Sequence, residues 1–297
     1  MVHVLAGVFV LTAFVLTAWT LSALPFGPAW LLACAGQGAL IQLAGYLNHE
    51  MVVHLNVGGP RWRRVLGTLF LTPTLLMQFT PYHILHIAHH KDVGSVDDEG
   101  YKDDLDTRWK RLLFATFPGL ILASVRMFEP RARKRHRHAL GPTSVASTIA
   151  AYAARTRGER VAVLAVLGLG LLLCPNVVLY GWLVPLVVAF PVWNAVRVVL
   201  EHSEVNPDHP LHCATFYCTG PLTRLMFGWD AGDCHLIHHI YPGIPWYHMG
   251  RAVKLSRPFL RQHGVVERRT LSWLLWQYFA RNRRHGALWP IRSESSS

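Results

Sequence analysis

"VHVLAGVFVLTAFVLTAWTLSAL", Val2 to Leu24, is a run of 23 residues without a Lys, Arg, Asp or Glu. As a helix it covers roughly 34 Å, enough to cross a hydrocarbon core of about 30 Å. No basic segment precedes it and a second apolar run follows, so it reads as a retained span rather than a cleaved signal peptide. The whole chain agrees. Of its 297 residues 52% are hydrophobic and 15% charged, where soluble domains carry about 25% charged. Mean hydropathy is +0.25. These values place the chain among integral membrane proteins.

Working outward, "ALPFGPA" makes an uncharged turn and Trp30 to Leu47 forms the second apolar run, ending at Asn48, His49 and Glu50. A longer block, Val161 to Val199, is interrupted by "CPN" at Cys174 to Asn176 and fits two spans joined by a tight turn. The predicted spans are therefore about 2–24, 30–48, 161–174 and 177–199. Net charge is +12. The basic residues gather in Arg61, Arg63 and Arg64, in "RARKRHRH" (Arg131 to His138), in "RTRGER" (Arg155 to Arg160) and after Arg251. Both span-joining turns lack charge, so every basic cluster lies on the opposite side. That is a positive-inside pattern with both termini cytoplasmic, and it accounts for the charge without nucleic acid.

Two shorter apolar stretches, Val65 to Thr80 and Leu112 to Phe128, each contain a proline (Pro73, Pro118). Crossing by either would separate histidine-rich segments that otherwise share one side, so both are expected to be interfacial or re-entrant. The expected fold is all-α: an integral membrane bundle of about four transmembrane helices, with interfacial helices and a His-rich cytoplasmic cap. It forms a single domain, 1–297, with a disordered tail at 292–297. The five cysteines contain no CxxC pair and imply neither a disulfide framework nor a zinc site.

Eighteen histidines in this chain would give an HxxHH triplet roughly 0.06 times by chance. It occurs twice, as His86, His89, His90 and as His235, His238, His239. Positions i, i+3 and i+4 share one helix face, so three imidazoles can converge there. "NHEMVVH" adds His49 and His54, and "EH" adds Glu201 and His202. Five residues turn an ideal α-helix by about 140°, so His49 and His54 need a helix end or a π-bulge to meet. All nine histidines fall at one membrane boundary. His83, His136, His138, His209, His212, His263 and His285 read as ordinary interfacial or loop residues, and the acidic loop from Asp92 to Thr107 as solvated. Nine imidazoles exceed a four-coordinate zinc site. Imidazole suits iron, copper, zinc and nickel, and two irons with four or five imidazoles each account for the number best.

The order HxxxxH, HxxHH, HxxHH resembles the membrane fatty acid desaturase superfamily, which includes hydroxylases and carotenoid ketolases. "WNAVRVVLEH" (Trp193 to His202) is similar to its Asn-x-x-Arg-x-x-x-Glu-His segment, and "HLIHHIYPGIPWYHMGRA" resembles the closing segment of bacterial members. The chain departs from common patterns at Ile237, where many relatives are acidic, and in "HPLHCATFYCTG" before the last box. The resemblance implies a non-haem di-iron centre ligated by His49, His54, His86, His89, His90, His202, His235, His238 and His239. It further implies Asn194 holding a water, and Glu50 and Glu201 accepting from imidazole N–H groups.

The implied activity is O2-dependent oxidation of a long apolar chain in a bacterial inner membrane, with desaturation of an acyl lipid first. Hydroxylation or ketolation of a carotenoid or other hydrocarbon is the alternative. A non-catalytic His-rich metal protein is the competing class, but a transporter would place its ligands near the midplane. The sequence carries no GxGxxG nucleotide unit and no His-Pro-Gly-Gly haem motif, so an external donor such as ferredoxin with its reductase is expected, drawn to the basic surface.

Overall fold

A computed structural model describes residues 2–55, 59–71, 73–93, 108–126, 156–202 and 233–265, with isolated positions between and after them. The RARKRHRH segment, most of the acidic loop and the C-terminal tail lie outside the described residues. Among the described residues the regular structure is helical. In chain order these helices are α1 (Val2–Ala23), α2 (Pro28–Leu47), α3 (Gly59–Leu66), α4 (Phe79–Asp92), α5 (Arg108–Phe114) and α6 (Phe117–Arg126). There follow α7 (Arg157–Leu173), α8 (Pro175–Val178), α9 (Val184–Val188), α10 (Phe190–His202), α11 (Asp233–Ile240) and α12 (Trp246–Gln262).

Three continuous helical stretches are long and apolar enough to cross a membrane: Val2–Ala23, Pro28–His54 and Pro175–His202. The second exceeds the expected 30–48 because α2 runs on into a π-helical turn, Asn48–His54. The third combines α8, a π-helical Leu179–Leu183, α9 and α10. Its irregularities lie just before Pro185 and Pro191, where the missing N–H and the ring disfavour a regular α-helix. A fourth full-length span is not found among the described residues. α7 covers all but the last residue of the expected 161–174, but it is 17 residues long and its first turn is charged, with Arg157, Glu159 and Arg160. The chain does break at Cys174, whose φ of −147° and ψ of 64° end α7 before Pro175. The described residues of Val65 to Thr80 are divided among α3, a π turn at Gly67–Leu71, a 3-10 turn at Pro73–Leu75, Leu76 with a positive φ of 53°, and the start of α4 at Phe79. The described part of Leu112 to Phe128, as far as Arg126, is divided between α5 and the ten-residue α6.

The spans pack through small residues and a few polar ties. A Cβ added at Gly181 would lie 2.2 Å from the Ala18 carbonyl oxygen, and one at Gly38 would lie 2.7 Å from Ala189 Cβ, so glycine sets both crossings. Ile41, Val178, Trp182 and Leu186 form one buried cluster between the second and third spans. Trp182 Nε1 donates to the Thr74 carbonyl at 2.8 Å, and Trp193 Nε1 to that of Ala35 at 2.8 Å.

α4 carries the first HxxHH box and is anchored at its start by α7. Thr80, at the second position of the helix, donates its backbone N–H to Glu159 Oε2 at 2.8 Å, and its hydroxyl donates to Oε1. A helix N-terminus leaves such N–H groups without intrahelical acceptors. Glu159 supplies one from another helix. Glu159→Ala is therefore expected to cost about 1–3 kcal/mol through the orphaned donors, read as a lower melting temperature in detergent. Glu159→Gln, which keeps one acceptor oxygen, should recover part of the loss.

Candidate metal centre

Each local conformation brings its histidines to one point. In the π-helical turn, hydrogen bonds reach five residues back, as Leu55 N–H to Glu50 O does at 2.9 Å. The turn per residue is smaller than in an α-helix, so residues five apart come near to alignment. His49 and His54 accordingly stand 4.8 Å apart by ring centroid. α4 and α11 are regular over their boxes, so each presents an i, i+3, i+4 triplet. His202 closes α10. α11 is held by a buried apolar patch in which Leu236 and Ile237 pack with Met249, Val253 and Leu260 of α12. The residue where many relatives are acidic is thus part of the core here.

All nine histidines gather into one cluster with two halves. The donor atoms of His49, His54, His86, His90 and His238 lie within 4.8 Å of one another, as do those of His89, His202 and His239. His235 joins the second half, with its Nε2 3.0 Å from Nε2 of both His202 and His239. In the first half His54 and His86 meet Nε2 to Nε2 at 2.9 Å, and His90 and His238 at 3.0 Å. Two imidazole nitrogens bound to one ion at ~2.1 Å stand about 3.0 Å apart across an octahedral edge and about 3.4 Å across a tetrahedral one. Opposite octahedral ligands stand about 4.2 Å apart, within the observed limit. The donor set therefore fits two neighbouring ions with five and four imidazoles. The halves adjoin at His90 and His239, whose rings are 4.5 Å apart.

Protonation favours the same use. Burial first, then the repulsion of neighbouring rings, pushes His86, His235, His238 and His239 well below the usual histidine range. The same causes bring His90 to about 3. These rings are neutral at pH 7, so each keeps a lone pair for a metal.

Two carboxylates border the cluster. Glu201 Oε1 accepts from the Tyr46 hydroxyl at 2.8 Å, and Oε2 accepts from Arg197 at 2.6 Å. Its carboxylate also falls within 4.8 Å of the donor atoms of His202 and His235. Asn194 Oδ1 accepts from Arg197 Nε at 3.2 Å, which ties this asparagine to the same network. Glu50 Oε1 accepts from the Trp246 backbone N–H at 2.7 Å and lies 2.9 Å from His3 Nε2. Tyr46, Arg197 and His3 are the residues that the sequence reading missed. The i, i+4 spacing of Arg197 and Glu201 was a readable signal. Outside the two halves, His83 stacks on Phe79, and His248 and His263 are exposed.

Comparison with known proteins supplies an independent line. The chain is 28% identical over 258 residues to "Omega-3 fatty acid desaturase, chloroplastic" of Glycine max, covering 77% of this chain and 54% of that protein. It is 26% identical over 261 residues to the protein of that name from Sesamum indicum, covering 79% and 56%. It is 25% identical over 274 residues to "sn-1 acyl-lipid omega-3 desaturase (ferredoxin)" of Nostoc sp. (strain 36), covering 83% and 71%. The chain thus spans little more than half the length of the two chloroplastic relatives. The family model described as fatty acid desaturase matches residues 38–271. That stretch holds all nine histidines and most of the chain, and the chain belongs to the fatty acid desaturase family.

Proposed function

We propose that the protein is an O2-dependent di-iron desaturase of acyl lipids in a bacterial inner membrane, with its histidine cluster on the cytoplasmic side. The observation that carries this reading is the division of nine imidazoles into adjacent sets of five and four, with Nε2 separations of 2.9 to 3.0 Å in four of the pairs. His49, His54, His86, His90 and His238 would hold one iron, and His89, His202, His235 and His239 the other. When bound, the two irons supply O2 activation and the oxidising power to remove hydrogen from an unactivated C–H bond.

The protein's part is positioning. The π turn and the two HxxHH helices fix the ring directions, and neutral ligands leave the centre strongly cationic and electron-poor. Glu201, held by Tyr46 and Arg197, offsets part of that charge beside His202 and His235. Over one turnover, two hydrogens from the acyl chain, with two electrons and two protons from outside, reduce O2 to two waters. A ferredoxin-type donor with its reductase is the proposed electron source. The Nostoc relative carries ferredoxin in its name, and the chain's net charge of +12 suits an acidic donor.

Two measurements test the reading. Purified protein should contain about two irons per chain, the ratio implied by two ligand sets; stoichiometric zinc without iron would overturn it. Lipid profiling of a host expressing the chain should show acyl chains carrying one more double bond. Hydroxylated or keto products in their place would retain the centre and replace the reaction.

A further inference from the structure

We propose that α12 lies along the bilayer surface and binds the headgroups of anionic phospholipids. The proposal rests on the membrane fold, not on the metal chemistry, and can fail without it.

The start of α12 is fixed at the level where two spans end. The Trp246 N–H donates to Glu50, in the last turn of the second span. His3, at the start of the first span, reaches the same carboxylate oxygen, and its ring stands 5.3 Å from that of Tyr247. Indole and phenol rings are favoured at this depth, where one end is apolar and the other wet.

From there α12 presents three lines of side chains. Met249, Val253 and Leu260 are buried against α11. On the outer side Leu255 and Phe259, one turn apart, are 71% and 51% exposed. Arg251, Lys254 and Arg261 form the adjoining exposed line, and α12 contains no acidic residue. An apolar line beside a basic one is how a helix sits in an interface, with apolar side chains among acyl chains and cations at phosphate depth. A docking surface for an acidic protein would need the cations but not an apolar line beside them.

Two other helices on this side repeat the pairing. In α3, directly after the second span, exposed Trp62 follows exposed Arg61. In α5, whose Phe114 packs on Ala195 and Val198 of α10, exposed Trp109 lies between Arg108 and Lys110. The Arg108 guanidinium stands 5.6 Å from the Trp109 ring centroid. Helices from three parts of the chain thus place an aromatic next to cations around the histidine cluster.

The test uses the full chain in lipid nanodiscs, with bimane attached to Leu255→Cys, Phe259→Cys or Lys254→Cys. The unsubstituted chain, labelled in parallel, sets the background from native cysteines. A lipid with a nitroxide high on its acyl chain should quench bimane at 255 and 259 roughly threefold more than at 254. Replacing roughly one third of the phosphatidylcholine by phosphatidylglycerol should deepen that quenching. The Arg251→Glu/Lys254→Glu variant should lose the increment and keep the quenching seen in phosphatidylcholine alone. Equal, weak quenching at the three positions would overturn the surface placement. Quenching indifferent to phosphatidylglycerol would overturn headgroup binding. Shielding of position 254 from aqueous iodide by an acidic ferredoxin, without a lipid effect, would assign the surface to a protein and overturn the proposal.

Discussion

His235→Ala is expected to leave about one iron per chain, and His238→Ala to give a partial loss that excess iron repairs. Both should lower turnover by at least ~10³-fold in the isolated protein. The difference follows from the unequal halves of the cluster. A zinc site with four protein ligands binds with about 10–16 kcal/mol, roughly 3 kcal/mol per ligand, or about 10²-fold in affinity for each one lost. Removing His238 leaves His49, His54, His86 and His90 in their half. Removing His235 leaves three, His89, His202 and His239. Four remaining imidazoles still form a site that higher iron can fill, whereas three form a much weaker one. His248→Ala and His263→Ala change exposed rings outside both halves and should keep full iron content. Metal analysis of purified variants at two iron concentrations, with turnover measured alongside, distinguishes the cases. Equal and complete iron loss from His235→Ala and His238→Ala would contradict the division into five and four.

How much of this arrangement was legible in the sequence depends on the range of the interaction. The two HxxHH triplets are local: their spacing alone puts three rings on one helix face, and α4 and α11 have that geometry. The HxxxxH pair was legible only as a requirement, because five residues do not align on an α-helix. The π turn at Asn48–His54 meets it. The all-α membrane class followed from uncharged runs longer than a bilayer is thick. The apolar run 161–174 was legible, but not that its helix begins four residues earlier, at Arg157. Glu159, in the first turn of α7, accepts from Thr80, which is far away in sequence. The roles of Tyr46 and His3 were out of reach for the same reason. Their partners lie 155 and 47 residues away, and nothing local in a tyrosine or a lone histidine announces a distant carboxylate. Glu201 and Arg197 could be paired by spacing, but not the hydroxyl that completes the group.

Arg197→Ala should be strongly destabilising. Glu201 is 3% exposed at its side chain, and Arg197 is its nearest cation, 2.6 Å away. Removing one partner of a buried pair leaves the other charge without compensation, at a cost of about 3–5 kcal/mol. The Arg197 side chain is 32% exposed, so solvent already weakens this pair. The expected cost therefore falls to roughly 2–3 kcal/mol. In a chain of this size that is about 3–5 °C in melting temperature. The bond from Tyr46 to Glu201 would survive, which is why the loss is not larger. The pair also acts on the cluster, because Glu201 adjoins His202 and its carboxylate lies near the donor atoms of His202 and His235. Loss of such a support weakens metal affinity by about 10–100-fold, so iron should leave the second half first. Two variants separate charge from packing. Arg197→Met/Glu201→Gln removes both charges while keeping the bulk and the acceptor for Tyr46, and should regain most of the melting temperature. Arg197→Lys keeps the cation but loses the second contact, Nε to Asn194, and should fall between wild type and alanine. If the double variant is as unstable as Arg197→Ala, the cost lies in packing around the arginine stem, and the charge pair is not what holds Glu201 beside the cluster.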